Sequence, residues 1–206
     1  MASEPTSRLT DRKREAIVQA AIAEFRESGF SGTSMDRVAA AAGVSKRTVY
    51  NHFPSKDELF SAILDQLWSR SRAHADVVHD PGRPLRPQLM ELIGHKMQLF
   101  NDPSFMDLSR VVIAEMLHNP ERAKAMAARL SSREDGLPVW IDAAQRAGQL
   151  RADADPLYAA HQLMGQLKAH ALWPQLLLGQ PPLDEAQQAR VLADTVDMFL
   201  GFYARG

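Results

Sequence analysis

The sequence predicts an all-α chain, and three observations predict it. Apolar residues recur at spacings of three and four over nearly the whole length, the repeat of one helix face. Strand-like alternation is scarce. Glycines and prolines fall between the periodic stretches, beside serine, threonine and aspartate at positions that suit helix caps.

Residues 1–10 read as a disordered arm. The first helix runs from Asp11 to about Ser28, with Ile17, Ala21 and Phe25 on one stripe and Ile22 beside it. Gly29 stops it, and Gly29-Phe30-Ser31-Gly32 is a connecting loop. Thr33 to Asp36 fits a capping box with Asp in the place of Glu; it opens a short helix through Val38 and the alanines 39–42. Gly43 ends that helix, Ser45 caps a third one through Phe53, and Pro54 closes it. Ser55-Lys56-Asp57-Glu58 is a second capping box, opening a long helix through Leu59, Ile63 and Leu67 towards Val78. From Asp80 to Pro87, three prolines and a glycine break the chain. Further helices are expected near 88–101, 104–118, 120–131, 137–148, 155–179 and 183–204.

The bulk composition is that of a globular protein: 206 residues, 45% hydrophobic and 24% charged. The absence of cysteine excludes disulfides and thiolate metal sites and suits a cytoplasmic protein. No apolar run reaches the roughly 18–20 residues that span a bilayer, and no signal-peptide core is present at the N-terminus. The net charge of −1 hides a tilt, with a basic excess of +3 over residues 1–56 and −4 over the remainder. A basic end suits phosphate neutralisation.

Two short helices joined at Gly43-Val44, the second opening on a capped serine, make a helix-turn-helix over about residues 34–53. Glycine permits the tight turn, and small alanines permit close approach. On the second helix, Val44, Val49 and Phe53 face inward, towards Phe25, Val38 and Leu59. Ser45, Lys46, Arg47, Thr48, Tyr50, Asn51 and His52 face outward, a set of donors, acceptors and two cations suited to phosphates and base edges. For His52, partial burial against the fourth helix and contact with DNA stand level.

Here the sequence resembles a known family. Ile17, Ala20-Ala21, Phe25, Gly29-Phe30, Thr33-Ser34-Met35, Val38-Ala39, Ala42-Gly43-Val44-Ser45, Thr48-Val49-Tyr50, His52-Phe53 and Ser55-Lys56-Asp57-Glu58-Leu59 look like the DNA-binding domain of TetR-type bacterial regulators. The resemblance implies an N-terminal three-helix helix-turn-helix domain over 11–71. A helical-bundle ligand-binding and dimerisation domain over 72–206 would follow, giving about nine helices in all. It implies a homodimer on a palindromic operator in double-stranded DNA, most often a repressor released by a small hydrophobic effector. Carried over by position, Thr33 or Ser34 would hold a phosphate. Lys46, Arg47 and Thr48 would face bases, Tyr50 and His52 would meet phosphates or thymine methyls, and Lys56 would grip the backbone. Arg47 departs from the small residue or proline more usual at its place, and its guanidinium suits either a guanine or a phosphate.

From Asp107 onward the chain resembles AefR-like C-terminal domains through Val111-Val112-Ile113-Ala114-Glu115, Gly148-Gln149-Leu150-Arg151, Asp153-Ala154-Asp155-Pro156 and Phe199-Leu200-Gly201-Phe202-Tyr203. By resemblance the last two helices pair across a dimer, with Leu163, Leu167, His170, Ala171, Val191, Thr195, Met198 and Phe202 as candidates; interface and intramolecular core are not separable from sequence. A ligand pocket is expected among Met97, Phe100, Val112, Glu115, Met116, Trp140, Met164 and Lys168, where thioethers and flat rings suit a hydrophobic ligand. Each of these also suits ordinary core. Glu115 lies in an apolar run and needs a partner, sought in Lys168 or His170.

The seven histidines form no metal pattern, and no cofactor is expected. No G-x-G-x-x-G, P-loop, H-E-x-x-H or G-x-S-x-G motif points to an enzyme. A helical enzyme and an architectural module without a sensor are the rival readings.

Overall fold

Proline near the start of a helix sacrifices no intrahelical hydrogen bond. In the computed structural model of the chain, helix α1 takes in Pro5 and spans Glu4–Gly32. The helix therefore begins within the stretch expected as a disordered arm. The structure describes residues 4–72, 78–131 and 136–205, of which 4–8, 72 and 126–131 are described by backbone alone. Gly29, at φ 70° and ψ 169°, breaks the helical geometry where the sequence places the stop. Only glycine takes that backbone conformation without steric cost.

The other helices are α2 (Met35–Ala41), α3 (Lys46–His52), α4 (Lys56–Arg72), α5 (Leu85–Phe100), α6 (Pro103–His118), α7 (Pro120–Ser131), α8 (Gly136–Arg146), α9 (Pro156–Ala171), α10 (Trp173–Leu178) and α11 (Glu185–Tyr203). The stretch 73–77, over which the fourth helix was expected to continue, lies outside the described residues. The single helix expected over 155–179 is two helices, α9 and α10. Pro174 has no N–H for the ladder and crowds the preceding turn, and the chain turns at Leu172 (φ −109°, ψ −60°). Among the described residues, no helix is long and apolar enough to cross a membrane, and no group of His and acidic residues could hold a metal ion.

The chain divides into two compact units, and the division is not the one expected at residue 71. The first unit takes Met1–Trp68 together with Asp107–Met126; the second takes Ser69–Met106 with Ala127–Gly206. Apolar periodicity on α6 accounts for the difference. Leu108, Val111 and Val112 bury their side chains in the same cluster as Ile17, Phe25, Val38, Val49, Phe53, Leu59 and Ile63.

In the second unit α9 packs against α5, α8, α10 and α11, with Leu163, Leu167 and Ala171 buried on it and Trp140 buried on α8. The buried Gln88 organises the turn before α5. Its Oε1 accepts from the Asp80 N–H at 2.8 Å, and its Nε2 donates to the carbonyls of Asp80, Arg83 and Pro84. An isolated bridge pairs Leu150 with Ala204. Beside it the Arg151 N–H donates to the Tyr203 carbonyl at 2.9 Å, tying the end of α11 to the α8–α9 loop.

Candidate nucleic-acid interface

The reading head is built from caps and a small core. Ser34, not Thr33, is the N-cap of α2, and its Oγ accepts from the Arg37 N–H at 3.2 Å. Gly43, at φ 64°, makes the turn. Ser45 caps α3, its Oγ accepting from the Thr48 N–H at 3.1 Å and sharing a 2.8 Å hydrogen bond with the Thr48 hydroxyl. Val49 and Phe53 are buried beneath α3, and Val44 packs partly buried against the same core. The opposite face is left to solvent: Ser45, Lys46, Arg47, Tyr50 and Asn51 are exposed, and Thr48 and His52 are half-buried. Arg47 has no ion-pair partner among the described residues. Lys46 lies 2.5 Å from Asp36 across the two helices of the motif.

Two assignments carried over by resemblance need correction. Thr33 is buried, and its hydroxyl donates within the fold, lying 2.9 Å from the Gly29 carbonyl and 3.0 Å from that of Glu24, so the hydroxyl proton is not offered to a phosphate. Ser34, exposed at the helix start, keeps that role open. Lys56 does not reach outward either. Its Nζ donates to the carbonyls of Phe30 at 2.6 Å and Thr33 at 2.8 Å, with that of Ser31 at 3.5 Å, and it sits 4.4 Å from the centre of the Phe30 ring. A cation gathering carbonyls at the end of α1 complements the negative end of the helix dipole.

The expected pocket residues are not brought into one unit. Val112, Glu115 and Met116 belong to the first unit; Met97, Phe100, Trp140, Met164 and Lys168 belong to the second. Glu115, for which sequence suggested Lys168 or His170, forms an ion pair with Arg122 at 3.1 Å. Of the interface candidates, Leu163, Leu167, Ala171 and Thr195 are buried within the single chain. His170, Met198 and Phe202 are exposed, and Val191 is half-buried.

Sequence reasoning missed Arg122. Its guanidinium lies 3.8 Å from the centre of the Phe30 ring and 5.4 Å from that of Phe60, and it pairs with Asp57 as well as Glu115. Its partners are distant in sequence or lie across the Asn119-Pro120 break, so no local pattern pointed to it.

Fold and site define a class: an all-helical protein whose N-terminal helix-turn-helix presents an unobstructed polar helix face. Comparison with known proteins narrows it. Residues 17–63 match the family described as bacterial regulatory proteins, tetR family, and residues 87–205 match the AefR-like transcriptional repressor C-terminal domain. The chain belongs to the TetR family of transcriptional regulators. Family and relatives are regulators, not enzymes. It is similar to the crystal structure of a TetR family regulator from Pseudomonas syringae pv. tomato, with 48% identity, a TM-score of 0.84 and coverage of 95% of this chain and 99% of that one. It is 30% identical to the HTH-type transcriptional regulator RutR of Escherichia coli O157:H7 over 80% of this chain and 76% of that protein. The match to RutR of strain K12 spans 51% of that protein's length. The flavonoid-responsive regulator FrrA is 28% identical, with a TM-score of 0.70 and coverage of 94% of this chain and 98% of that structure.

Proposed function

We propose that the chain is a cytoplasmic, ligand-responsive repressor that binds a palindromic operator as a homodimer and leaves it when a small hydrophobic effector binds. One observation carries the DNA-binding part. α3 turns Lys46, Arg47, Tyr50 and Asn51 to solvent, while its caps and the buried Val49 and Phe53 fix its orientation. A preformed helix with that chemistry suits the major groove, Lys46 and Thr48 facing bases, Arg47 reading a base or a phosphate and Ser34 holding the backbone.

Exposed apolar side chains on α9, α10 and α11 support pairing of two copies. Tyr158, Leu177, Leu178, Met198 and Phe202 are all exposed by half or more, and apolar side chains of this kind mark an interaction site where they form one patch. An effector site in the second unit rests on Met97, Phe100, Trp140, Met164 and Lys168. The indole N–H of the buried Trp140 has no hydrogen-bond partner among the described residues, which favours an effector that offers an acceptor to it. The flavonoid response named for FrrA supports a flat, hydroxylated aromatic as the first class to screen.

The decisive experiment is a gel-shift titration with DNA from upstream of the protein's own gene. Tyr50→Ala combined with Lys46→Ala should abolish binding while helicity and oligomeric state persist. Wild-type affinity in that variant would remove α3 as the reading helix.

A further inference from the structure

We propose that Arg122 is a positioning residue for the reading head: a cation on α7 that holds the turn from Gly29 to Gly32, from which α2 and α3 are launched. This rests on the DNA-binding reading above.

Phe30 lies in that turn, between the break in α1 at Gly29 and the start of α2. Its ring joins Phe25 and Phe60 in an aromatic trio, with centroids 5.4 Å from each. Two cations converge on it. Lys56, from the first turn of α4, sits 4.4 Å from the ring centre and binds the carbonyls of the same turn. Arg122, from the first turn of α7, sits 3.8 Å from it. Lys56 ties the turn to α4, which follows in the same head. Arg122 ties it to a helix from far along the chain.

The remaining interactions fix where the guanidinium sits. Asp57, beside Lys56 at the start of α4, pairs with it from one element, and Glu115 on α6 pairs with it from another. The Arg122 side chain is 25% exposed and that of Glu115 only 10%, so solvent screens this pair less than a surface pair, whereas Asp57, 70% exposed, holds the guanidinium from the solvent side. A planar cation over a ring and between two carboxylates has few alternative placements, unlike a flexible ammonium. The segment bearing Arg122 falls within the matched C-terminal family region, 87–205, yet packs with the DNA-binding unit. Further along, past Met126, α7 belongs to the second unit. Arg122 is therefore the side chain by which α7 acts on the turn that aims the recognition helix.

The test uses the full chain as wild type, Arg122→Ala, Arg122→Lys and Asp57→Asn, read by amide hydrogen exchange and by gel shift with the upstream DNA over a range of salt. Arg122→Ala should speed exchange at residues 30–34 about tenfold or more and leave amides of α9 unchanged. It should weaken DNA binding about tenfold with an unchanged salt slope, because every phosphate interaction is kept. Arg122→Lys and Asp57→Asn should fall between it and the wild type; if Arg122→Ala does not fold, these two carry the same measurement. Unchanged exchange at 30–34 overturns the proposal. So does equal acceleration across both units, which marks general destabilisation, and so does a reduced salt slope, which marks a direct interaction with phosphate. If the wild type does not shift this DNA, the proposed operator reading fails while the local exchange at 30–34 still decides the role of Arg122.

Discussion

Lys56 shows at the scale of one residue how a position inherited by resemblance acquires a different use. Its ammonium is committed to carbonyls at the end of α1, whereas Arg47 on the exposed face of α3 is not paired with any acidic group among the described residues. Counterion release separates the two, since removing a cation that neutralises one phosphate lowers the salt slope of binding by about one. Arg47→Ala should therefore flatten the salt dependence. Lys56→Gln should leave the slope unchanged and lower the melting temperature instead. A flattened slope in Lys56→Gln would return that residue to the DNA. Asp153 pairs with Arg151 at 2.6 Å. Hydrogen bonding from the Arg151 side chain, first among its causes, holds its carboxyl at about 2, below the ordinary 3.8. A depressed carboxyl stabilises the fold in full above its unfolded value and loses that contribution as the pH falls through about 2. In Arg151→Gln, the carboxyl titration followed by NMR should move up towards 3.8; a midpoint that stays low would assign the shift to another group.

Among the elements, the caps and turns were the most legible from sequence and the long-range packing the least. Ser45, Gly43 and Ser55 act locally, and each does in the structure what its spacing announces. Thr33 and Ser34 are neighbours with the same chemistry, and only the burial of Thr33 beneath α1 decides which one caps. Pro174 was passed over because the apolar period runs on through Leu172 and Leu176 while the backbone turns. The placing of Val112 and Glu115 with the reading head, and the burial of Leu163 and Leu167 within one chain, depend on packing between segments that no local window contains. The exposed face of α3 was legible because a seven-residue helix pinned by the buried Val49, with the buried Phe53 at its C-cap, leaves its other side chains little choice. The caps yield a prediction. Ser45→Ala removes the acceptor for the Thr48 N–H and should cost about 1 kcal/mol. Gly43→Ala, at φ 64° with open space around a new Cβ, should cost roughly 1–2 kcal/mol from backbone strain alone. Thermal melts check both, and a neutral Gly43→Ala would show that the turn has relaxed to another conformation.

For the whole molecule the open quantity is the number of reading heads presented together, and burial divides the terminal helices into two groups that predict opposite outcomes. Leu167 is 0% exposed within one chain, whereas Met198 is 63% and Phe202 62% exposed. Leu167→Ala leaves a cavity in the single-chain core and should cost about 2–5 kcal/mol, seen as a lower melting temperature. Met198→Glu with Phe202→Glu removes no buried side chain, although the Phe202 ring lies 4.9 Å from that of the buried Tyr203. Two charges on a face meant for a second copy should convert dimers to monomers in sedimentation while the helical signal is kept. Affinity for a palindrome would then fall by more than either half-site alone explains, because joining two heads makes the second binding event intramolecular, a gain of roughly 10²–10⁴. Binding to a single half-site should be unaffected, which separates a failure of pairing from a damaged head. A double variant that remains dimeric would put the interface on another face, and a wild type that sediments as a monomer at micromolar concentration would leave α9 to α11 without this role.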